Sequence, residues 1–312
     1  MIYEYAIEPS LAVAWAKNQQ DFEYYYEKFG LGQSKIMSEF PKFKNWRKHF
    51  RQAAAGAQDF ELQRITALFS LLVERRVLRD SLSYDGTISW LENAETENYR
   101  CPFQAILSSE NPRKHERVLS PGFVKNSILW KTEEQDFCSR ISDNMAQLVL
   151  PILSNCRLLY LIDPHFGPEN PRHRRPIEAF LKCMANNRFG KPLPDCIEIH
   201  TSDKADFEFF KDTCQEKLPD LIPSGYCVKL KRWVEQTGGE KFHQRFILTD
   251  IGGVEVDPGL DDGNEGESFR VMLLKRKMFE NHWQDFIASP AFDLAETPLE
   301  IIGKAGHQVS TK

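Results

Sequence analysis

The sequence predicts an α/β protein, with a sheet and flanking helices in its C-terminal half and a mostly α-helical N-terminal domain before it. Two patterns predict this arrangement. Apolar residues recur at helical spacing through residues 1–154, whereas short apolar runs alternate with helical segments through residues 155–290. Strands that alternate with helices are typical of a sheet covered by helices. Residues 291–312 are interpreted as a C-terminal tail.

The N-terminal region contains three predicted helices, at residues 11–29, 59–78 and 133–153. The second is the clearest, because its apolar residues fall on one face: Leu62, Ile65, Leu68, Phe69 and Leu72. Residues 80–111 are rich in turn-forming pairs. We expect this domain to recognise a substrate or to dock partner proteins.

The C-terminal half contains five predicted strands, at residues 157–163, 196–200, 227–233, 241–250 and 269–274. The first is a continuous apolar run that ends in Asp163-Pro164, as expected of a buried parallel strand. Helices are predicted at residues 176–185, 207–218 and 279–287.

The composition, with 41% hydrophobic and 27% charged residues, is typical of a soluble globular protein. No apolar run approaches the roughly 20 residues that span a bilayer, and the N-terminus lacks a secretory signal pattern, so we expect no membrane association. The seven cysteines include no C-x-x-C pair. We therefore expect reduced thiols in a cytoplasmic protein and no zinc site.

Residues 241–250 carry the candidate chemistry. His243 is followed two residues later by Arg245, and Asp250 follows after five more. In a strand, residues two apart project from the same face, so His243 and Arg245 should lie side by side. An imidazole can attack phosphorus, and a neighbouring guanidinium can hold the phosphoryl oxygens as charge builds on them.

This H-x-R-x4-D pattern resembles the H-x-K-x4-D signature of the phospholipase D superfamily, with arginine in the lysine position. The resemblance extends over residues 156–288, because the first strand ends in a "DPHF" stretch (residues 163–166) that is similar to the "DPYF" of many members. Trp283 and Phe286 fit the family's aromatic ending. The resemblance implies a phospholipase-D-like sheet. The H-x-R pattern followed by Gly252-Gly253 and then Gly259-Leu260-Asp261 is also similar to the C-terminal phospholipase-D-like module of MIT-domain proteins, which implies membrane binding without hydrolysis.

The resemblance implies a role for each motif residue and requires neither a metal nor a cofactor. His243 would be the nucleophile that forms a phosphohistidine, and Arg245 would clamp the phosphoryl oxygens. Asp250 would orient a histidine or fix the following turn. Asn264 is the one downstream residue of a suitable type to complete the site, and the family's Gly-Ser pair is absent. This departure puts catalysis in question rather than the fold.

A single motif implies a homodimer, because members with one copy pair two histidines across a two-fold axis. His165 follows the first strand and is a candidate acid within the same chain, with a solvated surface histidine as the alternative. The candidate phosphate-binding residues are Arg172, Arg174, Arg175, Lys231 and Lys241. A further basic cluster at residues 42–51 is interpreted as a solvated surface, and Asp261, Asp262 and Glu265 as an acidic surface loop.

Two functions follow from this reading. The first is a metal-independent phosphodiesterase, foremost a DNA or RNA nuclease, in a prokaryotic antiviral defence or restriction system. The second is a catalytically inactive phospholipase-D-like fold that serves as a binding or assembly module of a larger complex. Its support is the arginine in the lysine position, the missing Gly-Ser pair and the net charge of −5. Phospholipid hydrolysis ranks last, because no basic amphipathic helix or apolar lid supports it.

Overall fold

The computed structural model describes residues 1–80 and 82–304 and separates into two compact units. The N-terminal unit comprises residues 2–133 and 189–192. The C-terminal unit comprises Met1, residues 134–188 and residues 193–304. Both units contain helices and strands, which confirms the predicted α/β class.

The N-terminal unit contains a parallel sheet with the strand order β3-β2-β1-β4-β5. Its strands are β1 (Tyr3–Ile7), β2 (Lys35–Ser38), β3 (Arg76–Val77), β4 (Ala105–Leu107) and β5 (Val118–Leu119). Its helices are α1 (Pro9–Lys17), α2 (Gln19–Tyr26), α3 (Phe43–Ala53), α4 (Asp59–Glu74) and α5 (Trp90–Arg100).

The predicted helical character of this region holds, since helical residues outnumber strand residues, but the sheet was not predicted. Its strands are two to five residues long and mostly buried, so they show no alternation that periodicity could detect. The predicted helix at 11–29 is two helices, α1 and α2. They break at Asn18, whose side chain accepts a hydrogen bond from the backbone N–H of Asp21.

The C-terminal unit contains a mixed sheet with the strand order β13-β9-β8-β7-β10-β11-β12-β6, and β14 also pairs with β9. Its strands are β6 (Gln135–Ser139), β7 (Leu158–Ile162), β8 (Cys196–Ser202), β9 (Cys227–Val234), β10 (Phe246–Thr249), β11 (Gly252–Asp257), β12 (Ser268–Leu273), β13 (Asp293–Leu294) and β14 (Leu299–Ile302). Its helices are α6 (Ser142–Leu153), α7 (Pro171–Asn186), α8 (Phe207–Lys217) and α9 (Arg276–Trp283), which continues into a π-helical turn (Gln284–Ala288).

The division between the units lies after Glu133, earlier than the predicted boundary between residues 154 and 155. The reason is that β6 hydrogen-bonds to β12 and α6 packs against α7, so both belong to the C-terminal unit. The predicted tail also contributes structure, because β13 and β14 pair with β9. Residues 305–312 of that tail lie outside the described residues.

The ends of three strands and the start of a fourth lie at one edge of the C-terminal sheet. Strands β7, β8 and β9 are parallel, so they end at the same edge. Strand β10 is antiparallel to β7, with Phe246 opposite Ile162, so the residues that precede β10 lie at that edge too. This edge is therefore formed by the ends of β7–β9 and the start of β10.

All seven cysteines are free thiols. None of the helices described here is both long and apolar enough to cross a bilayer.

Candidate active site at the edge of the C-terminal sheet

His243 and Arg245 lie ahead of β10 rather than within it, so the predicted strand over residues 241–250 is wrong at its start. The carbonyl of Arg245 accepts a hydrogen bond from the N–H of Val256, whereas residues 241–244 have no ladder partner on β11. The alternating polar and apolar residues at 241–245 therefore form no strand, and the geometry by which a strand would place His243 and Arg245 on one face does not apply.

The His243 ring is exposed, and a backbone carbonyl orients it. Its Nδ1 lies 3.1 Å from the carbonyl oxygen of Lys241. A carbonyl oxygen only accepts hydrogen bonds, so Nδ1 must carry the proton and donate it. In the neutral ring Nε2 then holds the free lone pair. The structure thus leaves the nitrogen that a nucleophilic histidine needs available to solvent.

Arg245 is a partly buried cation whose side chain has no hydrogen bond within residues 1–80 and 82–304. The side chain is 28% exposed, and its Nε is buried without a hydrogen-bond partner. The nearest anion is the buried carboxylate of Asp163, whose Oδ1 lies 3.9 Å from that Nε. This distance allows attraction but not a hydrogen bond. The exposed NH groups of Arg245, which have no hydrogen-bond partner among the described residues, are therefore free to bind an anionic ligand.

Asp163 organises the end of β7. Its Oδ1 accepts a hydrogen bond from the N–H of His165 at 2.9 Å, and its Oδ2 accepts one from the N–H of Leu260 at 2.8 Å. One carboxylate thus fixes the turn after β7, ties down the loop after β11 and faces Arg245. Sequence reasoning placed Asp163 at the strand end but did not name it as a site residue.

His165 is exposed at the same edge, and its environment disfavours the protonated ring. Burial lowers the pKa of His165, the positive charges of Arg245 and Lys204 lower it further, and Asp163 opposes them. The ring is therefore mostly neutral at neutral pH and suits a base better than an acid. Lys204, which sequence reasoning missed, follows β8. The rule that parallel strands end at one edge could have found it.

Asp250 lies at the opposite end of β10 from His243. Its Oδ1 accepts hydrogen bonds from the N–H groups of Arg157 at 2.7 Å and Leu158 at 2.9 Å. The side chain forms no hydrogen bond to a histidine among the described residues. Of the two predicted roles, orienting a histidine does not fit this position. Asp250 instead anchors the start of β7.

Asn264 is exposed and serves a turn rather than the histidine. Its amide donates to Oε1 of Glu267 at 2.9 Å, and Oε2 of Glu267 lies 3.2 Å from Arg140. Asn264 and Glu267 lie in the loop between β11 and β12, and Arg140 lies between β6 and α6. The structure therefore does not bring Asn264 to His243.

The predicted phosphate-binding arginines are largely engaged with their own chain. Arg172 pairs with Asp261 and donates to the carbonyl of Asp262, whose carboxylate pairs with Arg175. Arg174 donates to the carbonyls of Pro168 and Glu169. Asp262 is buried and Asp261 is partly buried, and both pair with arginines of α7, so the predicted acidic surface loop is wrong for these two residues. Their carboxylates offset much of the positive charge expected there. Glu265 is exposed as predicted.

The two predicted lysines differ from each other. Lys231 forms a 2.7 Å ion pair with Glu198, which also lies 2.9 Å from Nε2 of the fully buried His200. Burial by itself raises the pKa of Glu198, but hydrogen bonds from His200 and Lys231 lower it to about 2. Lys231 is thus held in the sheet. Lys241 is 70% exposed, pairs with Glu235 and stays near His243.

No family model matches the sequence, and no curated protein matches it. Among solved structures, the chain is similar to a phospholipase D family member, Nuc from Salmonella typhimurium, with 13% sequence identity and a TM-score of 0.34. The alignment covers 52% of this chain and 98% of that chain. At this level of similarity no residue role transfers from that protein.

Proposed function

We propose that the C-terminal unit is a metal-independent phosphodiesterase that cleaves DNA or RNA through a phosphohistidine. The observation that carries the proposal is the side chain of Arg245, a partly buried cation with no hydrogen bond to any described residue. Two residues before it in the chain is His243, whose exposed ring leaves Nε2 open to a ligand. A buried donor without a partner is costly, so such a group suits a site that an anion completes.

The proposed reaction has two steps. In the first, Nε2 of His243 attacks phosphorus while Arg245 binds the phosphoryl oxygens. The bond between phosphorus and the leaving oxygen breaks, and that oxygen takes a proton. In the second, water attacks phosphorus and gives its proton to a base, the phosphorus–nitrogen bond breaks, and His243 is restored.

The proton donors and acceptors differ between these steps. His165, with its lowered pKa, suits the base that receives the proton of water. The acid of the first step would be a second His243 in a homodimer, as the resemblance implies. A prokaryotic defence or restriction role belongs to the same proposal.

The competing function is a catalytically inactive binding module. The observations that favour it are the contacts of Asp250 and Asn264, which serve the start of a strand and a turn, and those of Arg172 and Arg175, which face carboxylates. Such a module would bind a phosphodiester at Arg245 without breaking it.

The test is cleavage of labelled single- and double-stranded DNA and RNA in the presence of a chelator. The variant His243→Asn keeps a donor for the Lys241 carbonyl but removes the nucleophilic nitrogen. The matched control is His115→Asn, the same substitution in the N-terminal unit and outside α3. Chelator-resistant cleavage that is lost only in His243→Asn supports the enzyme. Binding without cleavage would favour the module, and cleavage that needs added metal would refute the mechanism.

A further inference from the structure

The segment around α3 is strongly basic in an otherwise acidic chain. Residues 40–58 contain Lys42, Lys44, Arg47, Lys48 and Arg51 but no aspartate or glutamate. The chain as a whole has a net charge of −5. Positive charge is therefore concentrated on one helix of the N-terminal unit, although sequence reasoning interpreted this cluster as a solvated surface.

The inner face of α3 fixes the helix to the core of the N-terminal unit. Trp46 and Phe50 are buried and stack with their ring centroids 5.1 Å apart. The indole N–H of Trp46 donates to the carbonyl of Ile7 at 2.7 Å. These contacts hold the helix without any help from its outer residues.

The outer face presents three cations at helical spacing. Lys44, Lys48 and Arg51 are exposed and follow one another at intervals of four and three residues, so they lie along one side of the helix. We call these three residues the α3 basic stripe. With a rise of about 1.5 Å per residue, the stripe is roughly 10 Å long.

Nothing described in the fold neutralises this stripe. Within residues 1–80 and 82–304, none of its three members forms an ion pair. Lys44 lies in a first turn that has no acidic residue, where the helix dipole disfavours a cation. Lys44 and Lys48 are four residues apart, a spacing at which like charges destabilise a helix. The arrangement costs stability, which points to a ligand outside the chain.

We propose that the α3 basic stripe binds the phosphate backbone of a nucleic acid, independently of its base sequence. Lysine and arginine side chains along one helix face match a line of phosphates by charge and carry no base information. An anionic membrane fits less well. The apolar residues that would enter a bilayer, Trp46 and Phe50, are already buried in the protein core.

This inference deepens the proposed function by assigning a substrate-binding surface to the N-terminal unit, but it does not require catalysis at His243. Binding is therefore measured in the His243→Asn background, where the proposed cleavage cannot occur. Loss of cleavage and loss of binding are then read separately, and either proposal can fail alone.

The experiment compares two triple variants with equal loss of charge. The test variant is Lys44→Gln, Lys48→Gln and Arg51→Gln. The control is Lys211→Gln, Lys217→Gln and Lys229→Gln, which removes three cations that already pair with Glu208, Glu216 and Glu300. Affinity for labelled DNA and RNA duplexes and single strands is titrated from about 50 to 200 mM salt. Circular dichroism verifies that both variants are folded.

We expect the test variant to bind more weakly and with a smaller salt dependence. Loss of three phosphate contacts should reduce the slope of log K against log salt by about 2 to 3 for a duplex. Over that salt range the parent protein should lose about 40-fold more affinity than the variant. Equal affinity and slope in the test variant, or an equal loss in the control, would overturn the proposal. So would stripe-dependent binding to anionic vesicles without binding to nucleic acid.

Discussion

Two arginines that are at least partly buried, one in each unit, differ in how many partners their side chains have. Arg79 in the N-terminal unit is 1% exposed, and its side chain is saturated with partners. It donates to Glu4 at 2.7 Å, to Glu97 at 3.0 Å and to the carbonyl of Cys101 at 2.6 Å. Its guanidinium also lies 3.7 Å from the ring centroid of Phe103. Every observed contact binds this residue into the fold.

Arg245 in the C-terminal unit is 28% exposed and has no side-chain hydrogen bond among the residues described, with Asp163 at 3.9 Å as its nearest anion. The contrast shows that burial alone does not identify a functional cation. A buried arginine with all its partners stabilises the fold, whereas one that lacks partners is poised for an external anion.

The largest effect is expected from Arg79→Met, which removes the cation shared by the buried Glu4 and Glu97 and leaves them paired with Lys191 and Arg100. Breaking a buried ion pair from one side costs about 3–5 kcal/mol. The free energy of unfolding of the N-terminal unit, measured by urea denaturation, should fall by that amount. Arg245→Met is the matched control and should change the stability of its own unit by less than about 1 kcal/mol. Similar losses in both variants would contradict the comparison.

Arg245→Met should instead abolish function. If Arg245 holds the developing charge on the phosphoryl group, its loss should lower the cleavage rate by about 10²–10³-fold. Arg245→Lys restores a cation that the resembled signature normally carries, so it should retain or raise activity. The measurement is single-turnover cleavage by proteins with verified folds. If Lys and Met variants are equally inactive, the planar guanidinium itself is required.

Acid should unfold the N-terminal unit through Glu4. Burial by itself raises the pKa of Glu4, but Arg79 and Lys191 and hydrogen bonds from Arg79 and Ser38 lower it to about 2 from a reference of 4.5. Because the folded pKa lies below the unfolded one, the stabilisation is complete above pH 4.5 and is lost as the pH falls toward 2. Its magnitude is on the order of 3 kcal/mol.

The check is unfolding measured from neutral pH into this acidic window for the parent protein and Glu4→Gln. The variant should be less stable at neutral pH and should show a flatter decline below pH 4.5. Glu198→Gln provides the counterpart in the C-terminal unit, since the pKa of Glu198 is also about 2. If Glu4→Gln declines as steeply as the parent, protonation of Glu4 does not drive acid unfolding.

The sequence predicted the strands of the C-terminal sheet where they form continuous or alternating runs. β7, β8, β9 and β12 agree with their predictions to within a residue or two. The segment before β10 failed because alternation describes an extended chain equally well with or without a hydrogen-bonded neighbour. Pairing with β11 begins only at Phe246, which lies opposite Glu255, so residues 241–245 lie outside the ladder.

The candidate site was also predicted only in part, because the sequence pattern does not show contacts between distant residues. Because parallel strands end at one edge, His165 was expected at the edge where it lies, and the charge of Arg245 acts on it there. Both residues were identified from the local sequence. Whether a predicted site residue is free to bind a ligand depends on contacts with residues that lie far from it in the chain. Asp262 and Arg175 are 87 positions apart in the chain, and Asp250 and Leu158 are 92 positions apart. No local pattern shows which cation such a contact will neutralise.

The smallest effect is expected at Asp250, the motif residue that the structure separates from Arg245. Asp250→Ala removes the acceptor for the N–H groups of Arg157 and Leu158, which should cost about 1–3 kcal/mol in unfolding free energy. Asp250→Asn keeps one acceptor oxygen and should cost less. Because Asp250 lies at the far end of β10 from His243, cleavage per folded molecule should be unchanged in both variants. A fall in cleavage with unchanged stability would assign Asp250 to the reaction and not to the start of β7.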